Sequence, residues 1–253
     1  MRRPAGSDRG VETGTAACTA AALLLCAAPA AAGPPFAVDD PGTVEEYNGT
    51  FLLRYELVRD RDVNTHAVPA ATLTLGLPAK LEFAVDGAVL KSEAAGTPSA
   101  GFGDLGLTFK WRFLEQGGAV PAVAVAYALW LPTGEDGLSS DATVHSPYLT
   151  LGWQVDDKWQ VFGDLGVNVR DRGDDDPQFF AGAALGYQVL ESWLIGVDLL
   201  GHTRVRDVQR SDLSAGLATQ LDLSECWTLM ARVGRSISGS QQVNMFAGIQ
   251  LNF

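Results

Sequence analysis

The segment from Asp104 to Phe113 alternates polar and apolar residues at every position, and this period of two constrains the fold more than any other feature. One face is apolar and carries Leu105, Leu107, Phe109, Trp111 and Phe113. The other carries Asp104, Gly106, Thr108, Lys110 and Arg112. Successive side chains of a β-strand point to opposite faces, so the pattern predicts a strand with one apolar side. In a helix the same charges would be spread around the circumference.

The alternation recurs from Thr50 to the C-terminus and predicts twelve strands. They cover approximately residues 50–58, 67–77, 80–90, 103–114, 120–131, 146–155, 159–170, 178–189, 193–203, 211–223, 227–236 and 242–253. Each has about the 9 to 11 residues that a tilted strand needs to cross a bilayer, or slightly more. The even-numbered connections are tight, and the odd-numbered ones are mostly longer and more polar. The fold class predicted is all-β: a transmembrane antiparallel up-and-down β-barrel whose short turns are periplasmic.

Charge separates the two faces of the predicted strands. Strand centres on the apolar face carry no charge, as expected if they face lipid, because Lys or Arg near the bilayer midplane costs roughly 2–4 kcal/mol. A soluble barrel would turn this face inward, but it holds too many large residues for a small interior. The opposite face is predicted to line the lumen with Arg54, Glu56, Lys80, Glu82, Asp86, Asp104, Lys110, Arg112, Asp164, Arg170, Asp198, Asp212, Asp222 and Arg232.

These charges allow two interpretations. They could pair with one another and plug the lumen, or they could line a solute path. Lys110 and Arg112 could face Asp104, Asp86 or Glu82 from the neighbouring hairpin. The polar face is also rich in glycine, which makes room in a lumen, eases curvature or lets a charge network pack.

Aromatic residues mark the strand ends. Trp159, Trp193 and Trp227 lie 34 residues apart, and each opens a strand after a short turn. Together with Phe253 they are predicted to form part of the membrane-interface girdle. The last strand ends in Phe253, which is typical of the C-terminal signal read by the outer-membrane assembly machinery. The partners expected are therefore that machinery, outer-membrane lipid and lipopolysaccharide.

The N-terminus is typical of export. Basic residues, an apolar run and Ala30-Ala31-Ala32 predict a cleaved signal peptide over residues 1–32. Residues 33–48 are predicted to be a periplasmic lead-in, with entry into the barrel as a plug left open, and residues 49–253 the outer-membrane β-barrel. The location expected is the outer membrane of a Gram-negative bacterium. The mature chain would hold 15 basic and 28 acidic residues, which argues against nucleic acid as a partner.

Candidates for catalysis are weak. His66 and His145 fall in predicted outer loops and His202 near an outer strand end, close to Ser211 and Ser214 on the next strand. The sequence contains no evident Ser-His pair with an orienting group, so it predicts no catalytic residue, no metal ligand and no cofactor.

Two patches, Gly101-Phe-Gly-Asp-Leu-Gly-Leu-Thr-Phe-Lys-Trp-Arg-Phe113 and Leu131-Pro-Thr-Gly-Glu135, resemble the outer-membrane family named after the putative meta-pathway of phenol degradation, a set of transporter-like barrels. The resemblance covers residues 45–253. It implies passage of small, aromatic or hydrophobic compounds and supplies no catalytic residues. The function predicted is a passive channel for small solutes of unknown identity. A structural or adhesive barrel with a plugged lumen is the first alternative, and an outer-membrane hydrolase the second.

Overall fold

The computed structural model describes residues 35–60, 63–94, 97–172, 176–203, 211–239 and 242–253. The strands are β1 (Gly49–Arg59), β2 (Val63–Leu77), β3 (Leu81–Ala94), β4 (Thr97–Phe102), β5 (Leu105–Leu114), β6 (Ala122–Leu131), β7 (Val144–Gln154), β8 (Trp159–Arg170), β9 (Gln178–Leu190), β10 (Trp193–His202), β11 (Asp212–Asp222), β12 (Trp227–Ser238) and β13 (Val243–Asn252). A 3-10 turn, Pro78–Lys80, joins β2 to β3. Within these ranges, no helix is long and apolar enough to cross a membrane. The predicted signal peptide lies outside the described residues.

Twelve of these strands close into one antiparallel barrel. Each pairs with its neighbours in chain order, and β1 pairs with both β2 and β13, so that Phe51 lies opposite Leu73 on one side and Leu251 on the other. Closure leaves none of these twelve strands as an edge strand, as hydrogen bonding inside a bilayer requires. The predicted twelve-stranded barrel is confirmed.

The thirteenth strand, β4, lies outside the twelve-strand cycle. Residues 81–86 of β3 pair with β5, whereas residues 89–94 of the same strand pair with β4. Gly103 and Asp104 separate β4 from β5, so the strand predicted over residues 103–114 begins at Leu105 instead. β3 and β4 therefore form a hairpin that extends beyond the last residue pair between β3 and β5.

The faces of the strands are sorted as the alternation predicts. Phe109 and Trp111 on β5 are 53% and 48% exposed, whereas Lys110 between them is 6% exposed. Large apolar side chains on the other barrel strands are exposed in the same way. An apolar outer surface around a polar interior is the arrangement of a membrane barrel, the inverse of a soluble one.

The two ends of the barrel differ. The start of β1, the C-terminal residue Phe253 and the tight connections, such as residues 78–80, 155–158 and 191–192, lie at one end, here called the short-turn end. Residues 132–143 and the described residues of two other connections, 171–172, 176–177, 203 and 211, lie at the opposite, long-loop end.

Candidate functional site

The interior of the barrel is not empty, because residues 35–44 enter it from the short-turn end. These residues, here called the N-terminal segment, contain no strand or helix. Their backbone is held instead by carboxylates of the wall. The amide of Ala37 donates to Asp198 at 3.3 Å and the amide of Val44 donates to Glu82 at 2.8 Å. Residues 33–48 were predicted as a periplasmic lead-in whose entry into the barrel was left open, and residues 35–44 of that stretch lie in the lumen.

A charged cluster holds the middle of the N-terminal segment. The Nζ of Lys110 lies 3.2 Å from Oδ1 of Asp39 and 3.4 Å from Oε1 of Glu82, and it also donates to the carbonyl of Asp40 at 3.2 Å. The amide of Asp39 donates to Oδ2 of Asp164 at 2.7 Å. Burying a lysine is costly unless it is paired and hydrogen bonded, so these partners explain why Lys110 tolerates burial.

Neutral side chains complete the same cluster. The Tyr148 hydroxyl donates to Oδ2 of Asp39 at 2.9 Å, and the Thr150 hydroxyl donates to the carbonyl of Asp39 at 3.0 Å. Asp39 therefore contacts strands β5, β7 and β8 through its side chain and backbone. Neither Asp39 nor Tyr148 was predicted from the sequence as a site residue.

Apolar contacts hold the first residues of the N-terminal segment. Phe36 and Val38 are buried in a cluster with Ala184, Leu194 and Ala218, and the Phe36 and Phe162 rings are 5.8 Å apart. A Cβ added to Gly196 would lie 2.6 Å from the Phe36 ring, and one added to Gly152 would lie 2.7 Å from Pro41. The inward glycines seen in the sequence therefore provide space for this segment at these two positions.

A second charged group lies on the opposite wall. Arg232 donates to both oxygens of Asp198, at 2.6 Å and 2.7 Å, and also to the side-chain oxygen of Asn244. The Asp198 side chain is completely buried. This bidentate geometry is the strong form of a guanidinium–carboxylate contact. Because Asp198 also accepts from Ala37, the pair connects the barrel wall to the N-terminal segment.

A third group joins β1, β2 and β3. Arg54 is paired with Glu56, and its Nη2 lies 3.6 Å from Oδ1 of Asp86. The Thr72 hydroxyl receives a hydrogen bond from Arg54 and donates to Asp86 at 2.5 Å. Arg54 is thus shared by two carboxylates.

The remaining predicted lumen residues lie in different surroundings. Lys80 is in the 3-10 turn and half exposed, 2.6 Å from Glu115 in the next short turn, so it lies at the rim. Arg112 is 3.8 Å from the same carboxylate. Arg170 donates to the carbonyl of Ser140 in a long loop. Asp212 and Asp222 each border one of the cavities described below.

Cavities flank the N-terminal segment on both sides. Two of about 420 and 440 Å³ lie toward the long-loop end, and both are bordered by Glu56. Smaller cavities of about 180 and 230 Å³ lie toward the short-turn end, and both are bordered by Asp40. The interior is therefore narrowed by the segment rather than packed solid along its length.

The two sequence patches that carry the family resemblance meet at the long-loop rim. Asp104 accepts hydrogen bonds from the amides of Gly134 (3.0 Å) and Ser140 (2.8 Å). The amide of Glu135 donates to the carbonyl of Phe102 at 2.9 Å. Burial opposes ionisation of Asp104, but these hydrogen bonds, with the hydroxyls of Ser139 and Ser140, hold its pKa below the usual value.

In the described contacts no histidine is hydrogen bonded to a serine, and His202 lies directly opposite Asp212 in the β10–β11 register. His66 and His145 lie on β2 and β7, rather than in the loops predicted for them, and each Nδ1 contacts a tyrosine hydroxyl, that of Tyr55 at 2.8 Å and of Tyr127 at 2.6 Å. Ser214 donates to the carbonyl of Leu200. The described residues contain no group of three or more His, Cys, Asp or Glu that could hold a metal ion.

The three predicted girdle tryptophans share one position in the fold. Trp159, Trp193 and Trp227 are the first residues of β8, β10 and β12, at the short-turn end, and are 39–42% exposed. The Phe253 ring lies against Gly49, where the first and last strands meet. A role at the membrane interface remains a prediction for all four.

Several solved outer-membrane proteins have a similar fold. The barrel is similar to a COG4313 outer membrane channel from Pseudomonas putida F1, with a TM-score of 0.68, 14% identity, and coverage of 85% of this chain and 98% of that one. It is also similar to the KdgM porin (TM-score 0.58, 13% identity, 81% and 99% covered) and the NanC porin (TM-score 0.55, 8% identity, 79% and 98% covered). At these identities the likeness shows the fold alone. No curated protein matches the chain.

A family model described as "Putative MetA-pathway of phenol degradation" matches residues 31–253, which includes the barrel, the N-terminal segment and both rim patches. The resemblance predicted from the two patches is confirmed. The chain belongs to this family of outer-membrane barrels.

Proposed function

We propose that the protein is an outer-membrane channel of a Gram-negative bacterium, through which small solutes pass passively, without catalysis or a cofactor. The observation that carries the proposal is a closed barrel whose charged interior holds cavities on both sides of the N-terminal segment. The porins and channels that share the fold support the same class of function. The family description supports aromatic or hydrophobic compounds as candidate solutes.

The N-terminal segment is the constriction of the proposed channel. Ala37 borders a cavity on the long-loop side and Asp40 borders both cavities on the short-turn side, so a solute crossing the barrel must pass this segment. Its polar attachments are single hydrogen bonds and one ion pair with Lys110, rather than a β-ladder. Such contacts are each worth about 0.5–1.5 kcal/mol, or somewhat more when charged, so the segment can shift without opening the wall.

A structural barrel with a closed lumen is the second candidate. It is favoured by the buried Asp198–Arg232 pair and by the apolar cluster around Phe36, both of which fill part of the interior. In this candidate the long loops would carry the function and the N-terminal segment would be a permanent plug.

Single-channel conductance of refolded residues 33–253 in a planar bilayer separates the two candidates. The channel predicts steady conductance, and Lys110→Met predicts a larger or more frequently open state, because it removes the cation that holds Asp39. Lys158→Met is the matched control, since Lys158 is exposed in a short turn. If neither the wild type nor Lys110→Met conducts, although the heat-modifiable gel shift shows that both are folded, the channel proposal is wrong and the structural barrel is the better candidate.

A further inference from the structure

The two larger cavities lie side by side on the long-loop side of the N-terminal segment. Both are bordered by Glu56, and together they are called the long-loop chamber here. Each has about 420–440 Å³, within the range of about 300–1,000 Å³ typical of small-molecule sites. The chamber is the first space that a solute arriving past the long loops would occupy.

Carboxylates dominate the polar part of this chamber. The acids among its described lining residues are Glu56, Asp60, Asp86, Asp104 and Asp212, and the basic residues are Arg54, Arg232 and His202. The hydrogen bonds to Asp104 favour its ionised form. The described lining is therefore negative at neutral pH.

The two arginines do not reverse the sign of this charge, because both are held by carboxylates. Arg232 is held at both oxygens by Asp198, a carboxylate outside the chamber lining, so its charge is neutralised from behind. Arg54 is shared between Glu56 and Asp86. Arg54 offsets one of the two carboxylates that hold it, so acids still outnumber arginines in the described lining. An arriving anion would have to displace a carboxylate from an arginine, whereas a cation would be attracted by the excess negative charge.

Apolar surface accounts for much of the remaining lining. Leu200, Met245 and Phe246 border one cavity, and Leu90 and Trp130 border the other. A bare metal ion would make no use of these side chains. A molecule with a hydrocarbon or aromatic body would bury apolar area against them, at about 25 cal/mol per Å².

We propose that the long-loop chamber binds organic cations, that is, solutes that join a protonated amine to an apolar or aromatic body. The amine would lie between Glu56 and Asp212, and the apolar body would pack against Phe246, Met245 and Leu200. The inference rests on the proposed channel function for the way in which the solute arrives, and it names the class of solute that the channel favours.

Three probes with one ring and different charges test the proposal: benzylamine, benzyl alcohol and benzoate. Their affinity for the refolded protein in detergent is measured by calorimetry, and their block of single-channel current in the bilayer. Benzylamine is protonated at neutral pH, as a lysine side chain is. We expect it to bind at least roughly fivefold more tightly than benzyl alcohol, the factor for one charge pair about 4 Å apart in aqueous surroundings, and benzoate to bind least.

Variants locate the site. Glu56→Gln and Asp212→Asn should each weaken benzylamine roughly fivefold and leave benzyl alcohol unchanged, because each removes one charge but keeps the shape. Glu225→Gln removes an exposed carboxylate in a short turn and should change nothing. A chamber variant that loses its heat-modifiable gel shift is misfolded. Glu56→Asp is then tested instead, and because it keeps the negative charge it should retain the affinity for benzylamine.

The outcomes separate the two proposals. Benzylamine binding in a barrel that never conducts would support the chamber and overturn the channel. A conducting barrel that binds benzoate as well as benzylamine, or that binds all three probes equally, would overturn the chamber and leave the channel standing.

Discussion

Asp198 and Arg232 illustrate how much a single pair of residues carries in this barrel. Both are buried, and their ion pair joins β10 to β12. Contacts of Arg232 with Asn244 and of Asp198 with Ala37 extend the group to β13 and the N-terminal segment. A buried ion pair contributes little net stability compared with an apolar pair of the same size, but removal of one partner leaves an uncompensated charge.

Arg232→Met should therefore lower the free energy of unfolding by about 3–5 kcal/mol. The double variant Asp198→Leu/Arg232→Met should recover most of this loss, because neither charge remains buried. Urea unfolding followed by the heat-modifiable gel shift measures both. A loss in the double variant as large as in the single one would contradict the argument.

Both family patches could be recognised in the sequence because each includes the end of a strand. Gly103 and Asp104 separate β4 from β5, and Pro132 follows the last residue of β6, so each patch includes a strand end. That these ends touch, through Asp104 and the amides of Gly134 and Ser140, could not be read from either patch alone. The alternation left Asp104, Asp86 and Glu82 open as residues that Lys110 could face, and Glu82 lies directly opposite it in the β3–β5 register.

Among the elements of the fold, the N-terminal segment is the one without a periodic pattern. It is held by contacts with facing strands rather than by structure of its own. The close approach of Pro41 to Gly152, 2.7 Å from an added Cβ, depends on the absence of a side chain at that glycine.

Gly152→Ala should displace the segment and increase the single-channel conductance, because the new methyl group takes space that Pro41 occupies. Gly163→Ala is the control, since an added Cβ there meets its nearest atoms at an ordinary 3.5 Å. Gly163→Ala should alter the unfolding free energy by at most about 1 kcal/mol, the usual scale of a Gly-to-Ala substitution. Gly152→Ala should cost about 1–3 kcal/mol, the usual scale of overpacking. Equal conductance in the two variants would place the constriction elsewhere.

On the scale of the whole molecule, the outward apolar surface determines where the barrel can be stable. Leu217 lies at the centre of β11 and is 63% exposed, whereas Leu223 follows the end of that strand and is 55% exposed. Similar exposure at different depths makes them a matched pair.

Leu217→Lys should cost roughly 2–4 kcal/mol in a lipid bilayer, and Leu223→Lys only about 0–1 kcal/mol, because the penalty falls toward the interface. Reversible unfolding from phospholipid vesicles measures the difference. On a surface that faced water, the two substitutions would have similar costs. Equal losses of unfolding free energy in vesicles would therefore contradict a bilayer around this surface.

The sequence by itself determined the number of barrel strands, their positions to within a few residues, and which face of each turns outward. These properties are local, because alternation with period two is written along each strand and a charge in lipid is costly wherever it occurs. It also marked inward glycines without indicating what filled the space beside them.

Only the tertiary structure decided that residues 35–44 enter the lumen and which charges meet there. Ala37 and Asp198 are 161 residues apart, and Asp39 and Tyr148 are 109 apart. No periodicity links such positions, since the segment forms no ladder and its partners are brought together only when β1 and β13 close the barrel. The physical reason is that the interior is a property of closure, whereas the wall is a property of each strand.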